Sequence, residues 1–188
     1  MKKLIICLWV ICLNACCFSS PNAEFYMLNS DGLSPLSDRY FSISVPVVKV
    51  PEVLERPQMV TYSPEGNQVQ ILEFSRWGET LPYVLQNTLT NDLMAYLPNA
   101  YVKSSRYASE KMRYNVEVEV NNLKAFKGEK AELSVWWSIR NAAGENSRRR
   151  QGFYEAVVGD ESMDALVRAQ NEAVHQLSRD IAENFLEL

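Results

Sequence analysis

The stretch Tyr114-Asn115-Val116-Glu117-Val118-Glu119-Val120-Asn121 alternates strictly between apolar and polar residues. Successive side chains of a β-strand point to opposite faces, so this pattern predicts a strand with one buried and one solvated face. Burial on one side only is typical of antiparallel sheets. After a turn at Gly128, residues 131–140 repeat the alternation, and residues 148–158 return after a turn-rich segment. We therefore predict a largely antiparallel sheet.

Two helices are predicted to cover this sheet. The first spans residues 81–96, where leucines recur every four residues and Pro98 ends the pattern. The second begins near Asp160, its predicted N-cap, and carries an apolar stripe as far as Phe185. Shorter strands are predicted at residues 25–28, 40–50, 58–62, 68–74 and 101–104, with Pro46 at an edge or a strand end. These elements predict an α+β fold of two layers, a mostly antiparallel sheet with two main helices packed on one face.

Length and charge exclude several classes of protein. The chain has 188 residues, which fits one domain, and its hydrophobic content of 47% excludes a disordered or low-complexity chain. It carries 19 basic and 23 acidic residues, for a net charge of −4. A nucleic-acid-binding protein needs a concentrated basic surface, so no nucleic-acid partner is expected.

The sequence also lacks the residues that most catalytic and metal sites need. His175 is its one histidine, and we expect it to be an exposed or boundary residue of the last helix. The sequence has no glycine-rich phosphate-binding motif. Several acidic side chains are predicted to form a solvated sheet face: Glu117, Glu119, Glu129 and Glu132. We therefore expect no enzymatic activity, no metal and no cofactor.

The N-terminus resembles a bacterial lipoprotein signal. Two lysines precede an apolar run over residues 4–13, which is too short to span a bilayer. The run ends in Leu13-Asn14-Ala15-Cys16, similar to a lipobox with its obligatory cysteine. The resemblance implies removal of residues 1–15 and acylation of Cys16, with palmitate among the acyl chains. An ordinary secretory signal and a membrane anchor are the alternatives.

All four cysteines lie in the first 17 residues, so the rest of the chain can form no disulfide. Cys17, rather than aspartate, follows the lipobox cysteine, which resembles the pattern of lipoproteins sorted to the outer membrane. We expect a lipidated tether at residues 16–23 and a single periplasmic domain at residues 24–188. The tether spans at most about 25–29 Å, so the domain would stay near the membrane.

Two features on the last two predicted strands, residues 131–140 and 148–158, suggest an interface. Trp136 alternates with polar residues and so should point away from the core, where exposed tryptophans favour protein contacts. Alternatively, it is an edge tryptophan covered by long polar side chains. Arg148, Arg149 and Arg150 form a cationic run. Alternation puts Arg149 on the face opposite Arg148 and Arg150. The run either makes the start of the strand soluble or contacts phosphate groups or an acidic partner.

Two segments resemble one protein family. The sequence Pro51-x-x-Leu54-x-Arg56-Pro57-Gln58-Met59-Val60 is similar to the "P-x-x-L-x-R-P-Q-I-V" element of the PqiC-like ABC-type transport auxiliary lipoproteins. The sequence Arg76-Trp77-Gly78-Glu79-Thr80-Leu81 resembles the family's "RWAEPL" element. Here Gly78 replaces alanine and Thr80, which can still cap the helix, replaces proline. We expect these residues to be structural first, with Trp77 seating the first helix and Arg76 and Glu79 paired or bonded to backbone.

The resemblance implies a non-enzymatic role in transport between membranes. The family member would be the outer-membrane lipoprotein of an MCE-type lipid-transport system, where it docks a periplasmic MCE-domain protein and supports membrane integrity. Self-association into a ring-like homo-oligomer fits the end of a conduit. The alternative is a lipoprotein activator or scaffold that binds a cell-wall synthase.

Overall fold

The computed structural model describes residues 21–108, 111–142 and 149–188, which form eight β-strands and two α-helices. Cys16 and Arg148 therefore lie outside the described residues. The strands are β1 (Glu24–Tyr26), β2 (Ser42–Pro46), β3 (Gln58–Tyr62), β4 (Val69–Trp77), β5 (Tyr101–Ser105), β6 (Tyr114–Phe126), β7 (Lys130–Asn141) and β8 (Arg150–Val157). The helices are α1 (Leu81–Tyr96), which follows β4, and α2 (Met163–Leu186), which follows β8.

The strands of the described residues divide into two sheets. The larger sheet has the order β5-β2-β6-β7-β8 and the smaller has the order β1-β4-β3. Both helices pack against the larger sheet and against each other, so the predicted α+β class is confirmed. The consecutive strands β6, β7 and β8 pair antiparallel, whereas β2 is parallel to both of its neighbours. Parallel pairing requires a crossover connection, and the chain between β2 and β5 supplies one that includes α1.

The alternation in β6 sorts its side chains as predicted. Val116, Val118 and Val120 are buried and face the helices, while Glu119 is exposed on the opposite face. The predicted strand stops at Asn121, where the alternation breaks, but β6 continues to Phe126. A register shift between Val120 and Asn122 in the pairing with β7 accounts for this difference. Such a bulge absorbs one extra residue and returns the next apolar side chain to the core.

The strand predicted over residues 40–50 is shorter in the structure. It ends at Pro46, as predicted for a residue that lacks a backbone N–H. The chain rejoins the sheet at Lys49, whose N–H donates to the Val118 carbonyl at 3.1 Å. Its carbonyl accepts the N–H of Val120 at 2.8 Å. These two bonds hold Lys49 level with Glu119.

The start of α2 differs from the prediction. Its N-cap is Ser162, whose hydroxyl oxygen accepts the Ala165 N–H at 3.1 Å, so the assignment of Asp160 was wrong. Asp160 instead accepts the Ser162 N–H at 2.7 Å and shapes the turn before the helix. Hydrogen bonding from the Ser162 side chain, and next from its backbone N–H, lowers the pKa of the Asp160 carboxyl because these bonds favour the charged form. Both residue types cap helices, so the sequence pattern leaves a choice of two residues.

Candidate functional site

The face of β6, β7 and β8 that points away from the helices is the candidate functional surface, and we call it the outer face. Strand register places Glu119 opposite Trp136, and Trp136 opposite Gln151. Phe153 and Val157 also lie on this face and are 64% and 81% exposed. The outer face thus carries apolar side chains that the core does not use.

Trp136 lies half-buried on the outer face beneath an arginine. The Arg149 guanidinium carbon is 4.8 Å from the centre of the Trp136 ring. One guanidinium nitrogen of Arg149 also lies 2.8 Å from a carboxylate oxygen of Glu119. Arg140 forms a second ion pair with Glu117 one rung further along the sheet. A planar guanidinium can stack and pair at the same time, so Arg149 shields the tryptophan while its charge stays at the surface.

A cleft of about 470 Å³ opens on the outer face beside these two ion pairs. Lys49 contributes to one wall, and the segment after β5, with Arg106 and Tyr107, contributes to another. The Ser105 hydroxyl donates to the Tyr107 carbonyl at 2.6 Å and holds this segment in a turn. The buried Gln86 amide supports the turn by donating to the Ser105 carbonyl at 2.6 Å and to that of Val45 at 2.8 Å.

The sequence did not predict this cleft, because its cations come from separate parts of the chain. Four cationic side chains line it, namely Lys49, Arg106, Arg140 and Arg149. Two carboxylates line it as well, those of Glu117 and Glu119. The cleft is therefore a cationic site on a chain whose net charge is −4.

The two described residues of the arginine run lie on opposite faces, as the alternation predicts. Arg149 lies on the outer face, whereas the Arg150 guanidinium carbon is 5.7 Å from the ring of Trp137, which belongs to the core face. Arg150 also lies 3.5 Å from the carboxylate of Glu187 near the end of α2. The run therefore does not form one continuous cationic patch.

His175, which we expected to be an exposed or boundary residue of the helix, is buried and belongs to a polar network. Its Nε2 donates to the carbonyl of Asn29 at 2.8 Å. Two hydrogen bonds join Asn29 and Asn171. The Asn29 backbone N–H donates to Asn171 Oδ1 at 3.0 Å, and Asn171 Nδ2 donates to Asn29 Oδ1 at 3.1 Å. The segment that follows β1 thus covers this side of α2, a contact that the helical pattern alone cannot reveal.

Asp92 of α1 is fully buried beside this network. The Ser178 hydroxyl donates to its Oδ2 at 2.7 Å, and His175 Nε2 lies 3.6 Å from its Oδ1. Burial raises the pKa of the Asp92 carboxyl, because the charged form loses its hydration. In a catalytic triad the histidine bonds the hydroxyl, but here Ser178 bonds the carboxylate and the backbone of Val174. The arrangement joins α1, α2 and the segment after β1.

The residues of the first family element form a tight junction around β3. Leu54 is buried at the end of a short 3₁₀ helix, and its N–H donates to the Pro51 carbonyl at 2.8 Å. Arg56 Nε donates to the Val53 carbonyl at 2.8 Å. Pro57 directly precedes β3, and the Gln58 amide donates to the Glu73 carboxylate at 3.3 Å. These contacts are internal.

The second family element joins β4 to α1. Trp77 and Leu81 are buried, and the Trp77 N–H donates to the Pro57 carbonyl at 2.8 Å. Arg76 Nε donates to the Glu73 carbonyl at 3.0 Å, while the Glu79 carboxylate accepts from the Asn87 amide at 3.2 Å. Thr80 occupies the N-cap position of α1, but its side chain makes no capping bond.

Within residues 21–108, 111–142 and 149–188, no cluster of histidine, cysteine or acidic side chains is arranged to hold a metal ion. None of the helices in these ranges combines the length and the apolar character that a membrane crossing requires.

The sequence model of the ABC-type transport auxiliary lipoprotein component matches residues 29–182, which include both family elements. The chain belongs to this family. Among curated proteins, no sequence matches this auxiliary lipoprotein.

The chain shares its fold with solved structures that include an uncharacterized protein and protein XCC0632 from Xanthomonas campestris. The uncharacterized protein superposes with a TM-score of 0.72 at 22% identity, covering 88% of this chain and 99% of its own. Protein XCC0632 from Xanthomonas campestris superposes with a TM-score of 0.70 at 11% identity, covering 85% and 92%.

Proposed function

We propose that this auxiliary lipoprotein is the outer-membrane component of an MCE-type intermembrane lipid-transport system. Acyl chains on Cys16 would hold it at the periplasmic face of the outer membrane. The folded part would dock the periplasmic MCE-domain protein of the same system and so support membrane integrity. This role is a binding role, without catalysis.

The family match over residues 29–182 carries the proposal. The outer face supports it, because the exposed side chains of Phe153 and Val157 offer apolar area that the core leaves unused. Arg149 adds an aromatic-stacked cation of the kind enriched at protein interfaces. We propose that docking uses this face, with Arg149 as its cationic contact, because Arg150 lies on the opposite face of the sheet.

Capture of the MCE-domain protein tests docking. The full-length lipoprotein, purified in mild detergent, is expected to retain an MCE-domain protein encoded beside it. A Phe153→Ser and Val157→Ser double variant should lose the capture, whereas a Tyr83→Ser control removes an exposed aromatic from α1 and should keep it. Recovery of a cell-wall synthase in place of the MCE-domain protein would contradict the proposal and favour the role of a synthase activator.

The anchor is tested by fractionation. Wild-type protein should sediment with outer membranes and incorporate labelled palmitate, while Cys16→Ala should do neither. A Cys17→Ala control should behave like the wild type, because only the lipobox cysteine takes the lipid. Cys16→Ala protein that still sediments with membranes would show that another segment holds it there.

We also propose that copies of the lipoprotein associate through Trp136. Replacing it with alanine is expected to lower the molecular mass measured by light scattering at a fixed protein concentration. An unchanged mass would show that the tryptophan does not hold copies together.

A further inference from the structure

The cleft on the outer face contains two cations that its ion pairs do not neutralise. Arg140 pairs with Glu117 and Arg149 pairs with Glu119. Among the residues that the structure describes, no carboxylate lies within 4.0 Å of the Lys49 ammonium or the Arg106 guanidinium. These two side chains both line the cleft, and they come from segments far apart in the sequence.

Both walls are held in place by the sheet. Lys49 is fixed between two main-chain hydrogen bonds to β6, at 3.1 and 2.8 Å. Arg106 lies within the turn that the Ser105 hydroxyl closes and that the buried Gln86 amide supports. The backbones that carry the two cations are thus positioned before any ligand binds, which lowers the entropy cost of binding.

Charge and size indicate what the cleft would bind. An excess of cations over carboxylates, on a chain of net charge −4, selects an anion. The volume of about 470 Å³ falls within the range of sites for small molecules and is small for a protein segment. Guanidinium and ammonium groups together bind phosphate oxygens well. The exposed ring of Tyr107 offers an apolar surface beside them.

We propose that this cleft binds the phosphodiester of a glycerophospholipid headgroup, with Lys49 and Arg106 as the phosphate-binding cations. The choice of a lipid as the source of the phosphate rests on the proposed transport function. A short tether after Cys16 would keep the cleft within reach of the bilayer. Binding depends on charge, so it should weaken as the salt concentration rises.

Calorimetric titration tests the proposal with the full-length lipoprotein in a neutral detergent. The probes are dihexanoylphosphatidylglycerol, dihexanoylglycerol, which lacks the phosphate, and inorganic phosphate. A Lys49→Glu and Arg106→Glu double variant is compared with a matched Lys127→Glu and Arg168→Glu variant, which makes the same charge change at exposed sites away from the cleft. Thermal melting of each variant checks that it is folded.

We expect saturable binding of the phospholipid by the wild type and by the control variant. The cleft variant should bind it at least about tenfold more weakly. Dihexanoylglycerol should not bind at this site, and inorganic phosphate should bind more weakly than the phospholipid. Equal binding by both variants would overturn the proposal. Phosphate binding as tight as that of the phospholipid would overturn the lipid as the source.

A capture experiment separates this inference from the proposed function. Loss of the MCE-domain protein by the cleft variant, together with no lipid binding by the wild type, would make the cleft a docking site for an acidic partner and overturn the inference. Lipid binding by a wild-type protein that captures no MCE-domain protein would leave the cleft assignment standing and refute the docking role.

Discussion

Gly152 of β8 is the position where adding a single methyl group should be most disruptive. Both Gly152 and Tyr154 face the core side of the larger sheet. A Cβ atom at position 152 would lie 2.6 Å from two atoms of the Tyr154 side chain, its Cε2 and its hydroxyl oxygen. Tyr154 is buried, and its hydroxyl donates to the Asp180 carboxylate of α2 at 2.8 Å. The side chain therefore cannot move aside without breaking this bond.

We expect Gly152→Ala to lower the free energy of unfolding by about 2–4 kcal/mol. A hydrogen bond to a charged group contributes about 1.5–3 kcal/mol, and forcing a buried ring from its site adds about 1–3 kcal/mol, partly offset by relaxation. Urea unfolding of the full-length protein in detergent, followed by tryptophan fluorescence, measures the change. Gly159→Ala is the matched control, because a Cβ there meets no atom within 4 Å, and it should change stability by less than about 0.5 kcal/mol.

A double-mutant cycle identifies the cause. In a Tyr154→Ala background the cost of Gly152→Ala should nearly vanish, because the clashing ring is gone. Tyr154→Phe should lose only the bond to Asp180, a cost of about 1.5–3 kcal/mol. The same cost of Gly152→Ala with and without the tyrosine ring would refute the reasoning.

Two further predictions concern the helices. Burial raises the pKa of the Asp92 carboxyl above its ordinary 3.8, so the folded state binds the carboxyl proton more tightly than the unfolded state does. The protein is therefore more stable with Asp92 protonated, and it loses this extra stability as the pH rises through the raised pKa. Asp92→Asn should therefore gain stability relative to the wild type between pH 4 and pH 8 in urea unfolding; an equal difference at both pH values would contradict this. Phe185 is fully buried, 5.1 Å from the ring of Phe41 and 5.4 Å from that of Tyr114. Phe185→Ala should lower the free energy of unfolding by about 3–5 kcal/mol in the same assay. The control Leu188→Ala, at the exposed terminus, should lower it by less than about 0.5 kcal/mol. A loss below about 1.5 kcal/mol for Phe185→Ala would contradict the packing argument.

Elements with a regular local period could be predicted closely. The leucine repeat predicts residues 81–96, which are the bounds of α1, and residues 58–62 are those of β3. The alternation around Val118 correctly assigned the buried and solvated faces of β6. These features follow from side-chain geometry within one segment, so neighbouring residues carry the information.

Contacts between distant segments could not be predicted in this way. His175 has a boundary position on its helix, yet it is buried because the chain near Asn29 folds over it. The strands form two sheets where one was expected. The pairing of β1 with β4 joins segments about 50 residues apart, so the local pattern of either strand does not determine it.

The order of strands and helices and the lipoprotein-like N-terminus follow from the sequence, because each depends on the types and spacing of nearby residues. The cationic cleft depends on the tertiary fold. Lys49 pairs with Glu119, 70 positions away in the sequence, through an isolated β-bridge, and Arg106 directly follows β5. A cluster assembled from five separate segments has no local period, so packing alone brings these charges together.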